Sequence, residues 1–311
     1  MTVIATLDLL TLLESIKPML ADTQKNVTLE TLMSDGKWLA DQKLDGIRAL
    51  AVWTRDGMAI RNRNGRDITA QYLDLEVSPP LCERPLLLDG EIIAQSGSFQ
   101  DTQKRDKQRQ PAAIVATMNA IPASFVAFDV LYHPTRGDVR HLPYIERRQL
   151  LLNLGLTGPW WDISMASTHH TFYDQIAAMG GEGVVAKRLS APYTQGRKTD
   201  WLKFKNKSTL TCVGVGYEPG EGAREAFGAM LLALVDGNKV VSVGRVGSGF
   251  TLPETLEMKA LLDSGRMPLV EIECLGKTRD GRLRQPVYIG QRTDLLVTDA
   301  NVAQLDNIPT C

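Results

Sequence analysis

Lys43-Leu44-Asp45-Gly46-Ile47-Arg48 sets a lysine at a strand edge, beside a glycine turn and between an acid and an arginine. Packing explains such a lysine poorly. Taken alone, the hexapeptide reads either as a solvated turn between strands or as a nucleophile that takes up a nucleotide. The residues that follow decide the fold. Residues 47–54 and 58–62 form two apolar runs joined by Arg55-Asp56-Gly57, which predicts a β-hairpin. Further out, residues 86–94 predict an apolar strand with Asp89-Gly90-Glu91 at its middle, 125–132 a strand carrying Phe128-Asp129, and 183–186 a short strand after Glu182. Helices are expected over 6–16 (ended by Pro18), 98–108, 145–154 and 172–179.

Past about Lys207 the texture changes. Short β-rich runs at 211–217, 229–234, 239–246 and 269–275 are separated by glycine turns, with one helix expected over 253–262. That pattern suggests a small barrel of the OB type. The expected organisation is α+β. A first domain over 1–206 has antiparallel sheets and helices, and a second over 207–311 is the barrel.

Composition narrows the function classes. With 311 residues, 43% hydrophobic and 23% charged, the chain has the make-up of a soluble globular protein. A net charge of −1 means a polyanion would be held by local basic patches, not by a global field. Cys82, Cys212, Cys274 and Cys311 form no CxxC pair, which argues against a zinc site or a disulfide frame. The four histidines (133, 141, 169, 170) lack metal-ligand spacing. The N-terminus lacks a basic segment followed by an apolar run, and no apolar stretch approaches the roughly 20 residues a membrane helix needs. A cytoplasmic protein with no membrane partner is expected, and a monomer.

Five clusters follow the hexapeptide: Arg61-Asn62-Arg63-Asn64-Gly65, Asp89-Gly90-Glu91, Phe128-Asp129, Glu182-Gly183-Val184-Val185-Ala186-Lys187, and Trp201-Leu202-Lys203-Phe204-Lys205. Singly, each reads as a cap, a turn or a wet strand face. Jointly they supply a nucleophile, cations for a triphosphate, carboxylates for a metal and an aromatic surface for a base. Those are the parts that phosphoryl transfer to an amine requires.

The order and wording of these clusters resemble the covalent nucleotidyltransferases, and specifically ATP-dependent DNA ligases. Lys43–Arg48 matches the family's first motif, KxDGxR, and Arg63-Asn64-Gly65 its arginine motif. Asp89–Glu91 with Phe128-Asp129, Glu182–Lys187 and Trp201–Lys205 match the third, fourth and fifth. Lys17-Pro18-Met19-Leu20-Ala21 is similar to the opening of the ligase module of bacterial end-joining ligases. Gly244-Arg245-Val246-Gly247-Ser248-Gly249-Phe250-Thr251 is similar to their OB-domain signature. The resemblance spans essentially the whole chain.

It implies nick sealing in duplex DNA with ATP, not NAD, through lysyl-AMP on Lys43, in repair, replication or recombination. It also implies the roles of individual residues. Arg48 and Arg63 would hold ribose or phosphate oxygens, and Phe128 would stack on adenine. Glu91 would meet the ribose or the metal. Glu182 would ligate Mg²⁺ (or Mn²⁺), a hard cation that accepts carboxylate, water and phosphate oxygens. Lys187, Lys203, Lys205 and Arg197 would meet phosphates. Asp41 stands where the family usually has glutamate near the adenine, so its shorter side chain reaches less far. Arg284, Arg292 and Asp294 are similar to the sixth motif, but Leu295 stands where the family usually has lysine. DNA phosphates would meet the basic run 104–109 and Arg224, Lys239 or Arg245. An RNA-joining or capping relative, and a binding module without catalysis, are the competing readings.

Overall fold

Two facing sheets make the first unit of the chain, and strand alternation explains how each divides its side chains between two faces. The structure is a computed structural model. It describes residues 2–23, 27–77, 84–220 and 226–310, with residues 2–8 and 77 described by their backbone alone. Cys82, Cys311, Arg224 and the Glu221-Gly222 part of one expected turn lie outside the described residues. The chain divides into two compact units, Met1–Lys205 and Asn206–Cys311.

Strands of the first unit, in chain order, are β1 (Met19–Thr23), β2 (Trp38–Gln42), β3 (Ile47–Trp53), β4 (Met58–Asn62), β5 (Leu86–Ala94), β6 (Ala123–His133), β7 (Gly137–Asp138), β8 (Trp161–Ile163), β9 (Ala166–Ser167), β10 (Gly183–Arg188) and β11 (Gly196–Lys205). One sheet runs β1-β11-β10-β2-β9. The other runs β4-β3-β5-β6-β7, with β8 alongside β6. The predicted hairpin is present, with Trp53 opposite Met58.

In the second of these sheets, Ala49, Ala51 and Trp53 of β3 and Leu86, Leu88 and Ile92 of β5 turn to an outer core. There Trp161 meets the Trp53 ring edge-on at 4.2 Å. The alternate residues Leu50, Val52 and Leu87 turn inward to a second core with Leu9, Leu13, Ile16 and Phe128. Because side chains alternate, Arg48, Asp89 and Glu91 share that inner face. Leu9, Leu13 and Ile16 recur at helical spacing along and just beyond the first helix, Thr2–Ser15, so one stripe seals the end of this core.

The other sheet follows the same rule. Ala40, Val184, Ala186 and Leu202 face the helices Leu29–Met33 and Phe172–Ala178. Register pairs Asp41 with Val185, Val185 with Lys203, Lys187 with Trp201 and Gly183 with Lys205, which places these side chains on the opposite face.

The predicted basic helix covers Phe99–Asp106 and corrects one expectation about DNA contacts. Arg105 turns inward: its guanidinium pairs with Asp74, donates to the Gln71 and Ile121 carbonyls and is 1% exposed. It holds the helix down and cannot meet phosphate. Lys104 and Lys107 are exposed.

The second unit contains β12 (Ser208–Glu218), β13 (Ala229–Asp236), β14 (Lys239–Val246), β15 (Leu269–Cys274) and β16 (Val287–Gln291). Their order is β14-β13-β12-β15-β16, with register shifts in three of the pairings outside β12·β15. Such bulges bend a sheet toward barrel curvature. The helix Leu252–Asp263 begins in a capping box between Thr251 and Glu254. The unit is an OB-type half-barrel. No helix among the described residues is long and apolar enough to cross a membrane.

Candidate active site

Between the inner faces of the two sheets of the first unit lies a cavity of about 270 Å³. Asp41, Lys43, Arg48, Arg63, Glu91, Phe128, Lys187, Arg197, Lys203 and Lys205 all line it. Leu20, Ala21, Val185 and Trp201 complete much of its wall.

Lys43 follows the last residue of β2, and its backbone N–H donates to the Gly183 carbonyl at 2.9 Å. This bond ties the lysine to the strand that begins beside Glu182. The Lys43 ammonium pairs with the Glu182 carboxylate, which Lys205 approaches at 3.5 Å. Glu182 does not itself line the cavity; it meets Lys43 and Lys205, which do. Two glycines are required by close approach. A Cβ on Gly46 would lie 2.2 Å from the Ile92 carbonyl oxygen, and one on Gly90 would lie 2.5 Å from the Phe125 ring. Backbone therefore packs on backbone where the nucleophile loop crosses β5.

Arg48 is gripped at two points by Asp89, both at 2.6 Å, and also donates to the Met19 carbonyl at 3.0 Å. Burial disfavours this cation, but Asp89 more than offsets it and the guanidinium titrates above its ordinary value. Arg48 also lies 4.5 Å from the Phe128 ring centroid. Glu91 stands directly across the strand from Arg48. Burial pushes its carboxyl up to about 8, against the pull of Arg48 and Lys43. The Lys203 ammonium is held below its ordinary value by burial and then by Arg197, Lys205 and Lys43. This cluster of cations favours a polyanion. Arg197 donates to the Ala21 carbonyl at 2.6 Å.

Asp41 is committed to the protein. Its carboxylate pairs with Lys187 and accepts from the Tyr144 hydroxyl at 2.6 Å and the Ser164 hydroxyl at 3.3 Å, with Arg148 at 3.6 Å. Burial pulls the Lys187 ammonium below its ordinary value despite Asp41. Lys187 also sits 4.4 Å from the centroids of both Phe128 and Trp201. Tyr144, Ser164 and Arg148 have no signature in the sequence, because each reaches Asp41 from a distant element.

Arg284, Arg292 and Asp294 belong to the second unit. Arg292 pairs with Asp294 at 2.8 Å and Glu271 at 2.9 Å, and holds the Asp294 carboxyl down at about 2. Arg284 accepts and donates backbone hydrogen bonds with Leu275 and Gly276. Leu295, in place of a lysine, packs on the core of this unit. On the barrel, Arg245 pairs with Glu218, while Lys239 is exposed.

Among the described residues no three His, Cys, Asp or Glu side chains gather as a metal cage. The Glu182 charge adds to the rise of the Glu91 carboxyl. Two carboxylates with room for phosphate oxygens suit Mg²⁺, which keeps waters and rarely takes an all-protein site.

Similarity to known proteins covers the unit that holds this cavity. Residues 18–205 match the family model described as ATP dependent DNA ligase domain. The multifunctional non-homologous end joining protein LigD of Mycolicibacterium smegmatis is 30% identical over 292 residues, covering 83% of this chain and 36% of that protein. A probable DNA ligase of Dictyoglomus thermophilum is 30% identical over 250 residues, covering 73% of this chain and 43% of that protein. The chain thus spans less than half the length of these two relatives. Among solved structures, mycobacterial DNA ligase D complexed with ATP and MES aligns with a TM-score of 0.54 and 25% identity, covering 92% of this chain and 98% of that one. A Lig E DNA ligase shares the fold at a TM-score of 0.62 and 19% identity, covering 88% and 98%.

Proposed function

This chain belongs to the ATP-dependent DNA ligase family, and we propose that it seals nicks in duplex DNA by three phosphoryl transfers. The observation that carries the proposal is one cavity lined by Lys43, Arg197, Lys203 and Lys205 together with Phe128 and Arg48, in which Glu182 pairs with both Lys43 and Lys205.

In the first transfer the Lys43 amine attacks the α-phosphorus of ATP. A P–N bond forms, the bond to the β-phosphate bridging oxygen breaks, and pyrophosphate leaves. Glu182, against which the Lys43 ammonium rests, is the nearest acceptor for the departing proton. In the second transfer a DNA 5′-phosphate oxygen attacks the same phosphorus and releases Lys43. In the third, the 3′-hydroxyl attacks the DNA phosphorus and AMP departs. Such transfers depend mainly on positioning and charge neutralisation. Lys203, Lys205, Arg197 and Arg63 hold phosphate oxygens, Phe128 and Val185 bracket the base, and Arg48 orients the ribose or α-phosphate. Glu91 and Glu182 would hold Mg²⁺ (or Mn²⁺), which supplies further charge neutralisation at the phosphates.

Residues 1–206 form the adenylation unit in this reading, and 207–311 a barrel that contributes to DNA contact through Lys239; the sixth-motif residues Arg284, Arg292 and Asp294 orient pyrophosphate in the first transfer. The protein works inside the cell as a monomer, and likeness to end-joining ligases favours a role in DNA repair. The test is incubation with α-labelled ATP and Mg²⁺, followed by nicked DNA. Wild type acquires a covalent label that the nick discharges with sealing, while Lys43→Ala acquires none. An unlabelled wild type, free of bound AMP, overturns the proposal.

A further inference from the structure

Tyr193 belongs to none of the motif clusters, yet it closes a ring of hydrogen bonds around Arg48. Its hydroxyl donates to Asp89 at 2.6 Å and accepts the Met19 backbone N–H at 3.0 Å. Asp89 grips Arg48 at two points, and Arg48 donates to the carbonyl of the same Met19. The circuit therefore runs from the hydroxyl to the carboxylate, on to the guanidinium, and back through Met19. Every partner is buried or nearly so: Asp89 is 0% exposed, Met19 0% and Tyr193 7%.

The ring of Tyr193 is itself held. It meets Trp201 edge-on with centroids 6.0 Å apart, and the Arg147 guanidinium lies 5.8 Å from its centroid. Its backbone N–H donates to the Arg140 carbonyl at 2.8 Å. Thus a rigid side chain fixes two parts of the cavity wall together. One is the Arg48 cation. The other is β1, whose Leu20 and Ala21 follow Met19 and line the cavity. Phenol burial and the Asp89 charge keep the hydroxyl protonated far above neutral pH, so it stays a donor.

We infer that Tyr193 is a positioning residue for nucleotide uptake, acting through Asp89 on Arg48 and through Met19 on the β1 wall. This rests on the ligase reading above. Tyr193 is not among the residues that line the cavity, so removing its hydroxyl alters where the nucleotide sits more than how fast a well-placed one reacts.

The experiment is single-turnover lysyl-adenylate formation over a range of ATP concentrations, for wild type, Tyr193→Phe, Asp89→Asn and the double variant. The amplitude at saturating ATP counts folded, competent molecules, so partial misfolding is separated from weaker uptake. Tyr193→Phe is expected to raise the half-saturating ATP concentration about tenfold, with less than about a threefold fall in the limiting rate. The double variant is expected to shift half-saturation by much less than the product of the single shifts, since both act through Arg48. Half-saturation unchanged in Tyr193→Phe, or independent multiplicative shifts, overturns the inference. A wild type that forms no adenylate overturns the function on which it rests, and is distinguishable because the control fails first.

Discussion

Asp89 and Asp129 stand opposite one another on neighbouring strands, and each grips an arginine at two points. The Asp129 pair with Arg147 measures 2.8 and 2.9 Å, and the Asp89 pair with Arg48 2.6 Å at both contacts. Their surroundings differ. Arg147 is wholly enclosed and also donates to the Leu142 and Ala191 carbonyls. Arg48 opens on the cavity, and among the described residues its Nη1 makes no hydrogen bond. The same chemistry serves two ends: one pair locks the helix Tyr144–Asn153 to β6, and the other presents an oriented cation to a ligand. Depth and unused donors distinguish them, not bond length.

Three variants sharpen this contrast. Arg147→Ala strands a buried carboxylate and is expected to lose about 3–5 kcal/mol of stability in urea unfolding. Its residual folded fraction should form adenylate at a near-normal limiting rate, with a smaller rise in half-saturating ATP than Tyr193→Phe shows, since Arg147 reaches the site only through the Tyr193 ring. Arg48→Ala should lose less stability, because Asp89 keeps the Tyr193 hydroxyl and the removed side chain lines a cavity, so its loss lets water reach the carboxylate. Its rate of adenylate formation is expected to fall about 100-fold, on the order of 3 kcal/mol. Equal stability losses with equal activity losses would erase the distinction. The third pair, Arg140 with Asp138, lies at the surface with 25% and 41% exposure. Arg140→Ala is expected to cost less than about 1 kcal/mol and to leave adenylation unchanged.

Between these in size stands a pH effect. The Glu91 carboxyl rises from 4.5 to about 8 in the folded protein. Between those values the folded state binds more protons than the unfolded one, so stability falls as pH rises, by at most about 1.4 kcal/mol per pH unit. Glu91→Gln removes that slope. The melting temperature of the variant relative to wild type should climb from about pH 5 to about pH 8. A constant difference across that range would show that Glu91 ionises normally.

Local chemistry makes much of this legible in the sequence. The Asp-Gly turn announces the hairpin, and alternation along the strands puts Arg48, Asp89 and Glu91 on one face. Lys203 and Lys205 share a face for the same reason. Long-range pairing is not legible. The partner of β1 is β11, more than 170 residues away and parallel to it, and no periodicity encodes that choice. Arg105 reads as a surface cation because its helix is polar, yet Asp74 and two carbonyls draw it inward. Asp41 and Tyr193 are opaque for a related reason: their partners come from elements scattered across the unit. Leu295 reads as a lost cation, and the structure shows a side chain recruited to the barrel core.

Gly46 carries a consequence for how such a site tolerates change. The loop bearing Lys43 rests on the Ile92 carbonyl with no side chain between them. The separation between nucleophile and carboxylate strand is therefore a mechanical stop, set by contact of main chain with main chain. Rotamer hopping in neighbouring side chains leaves it unmoved. Cavity residues can vary in length, as Asp41 does here, while the reference from which Lys43 is measured stays where it was.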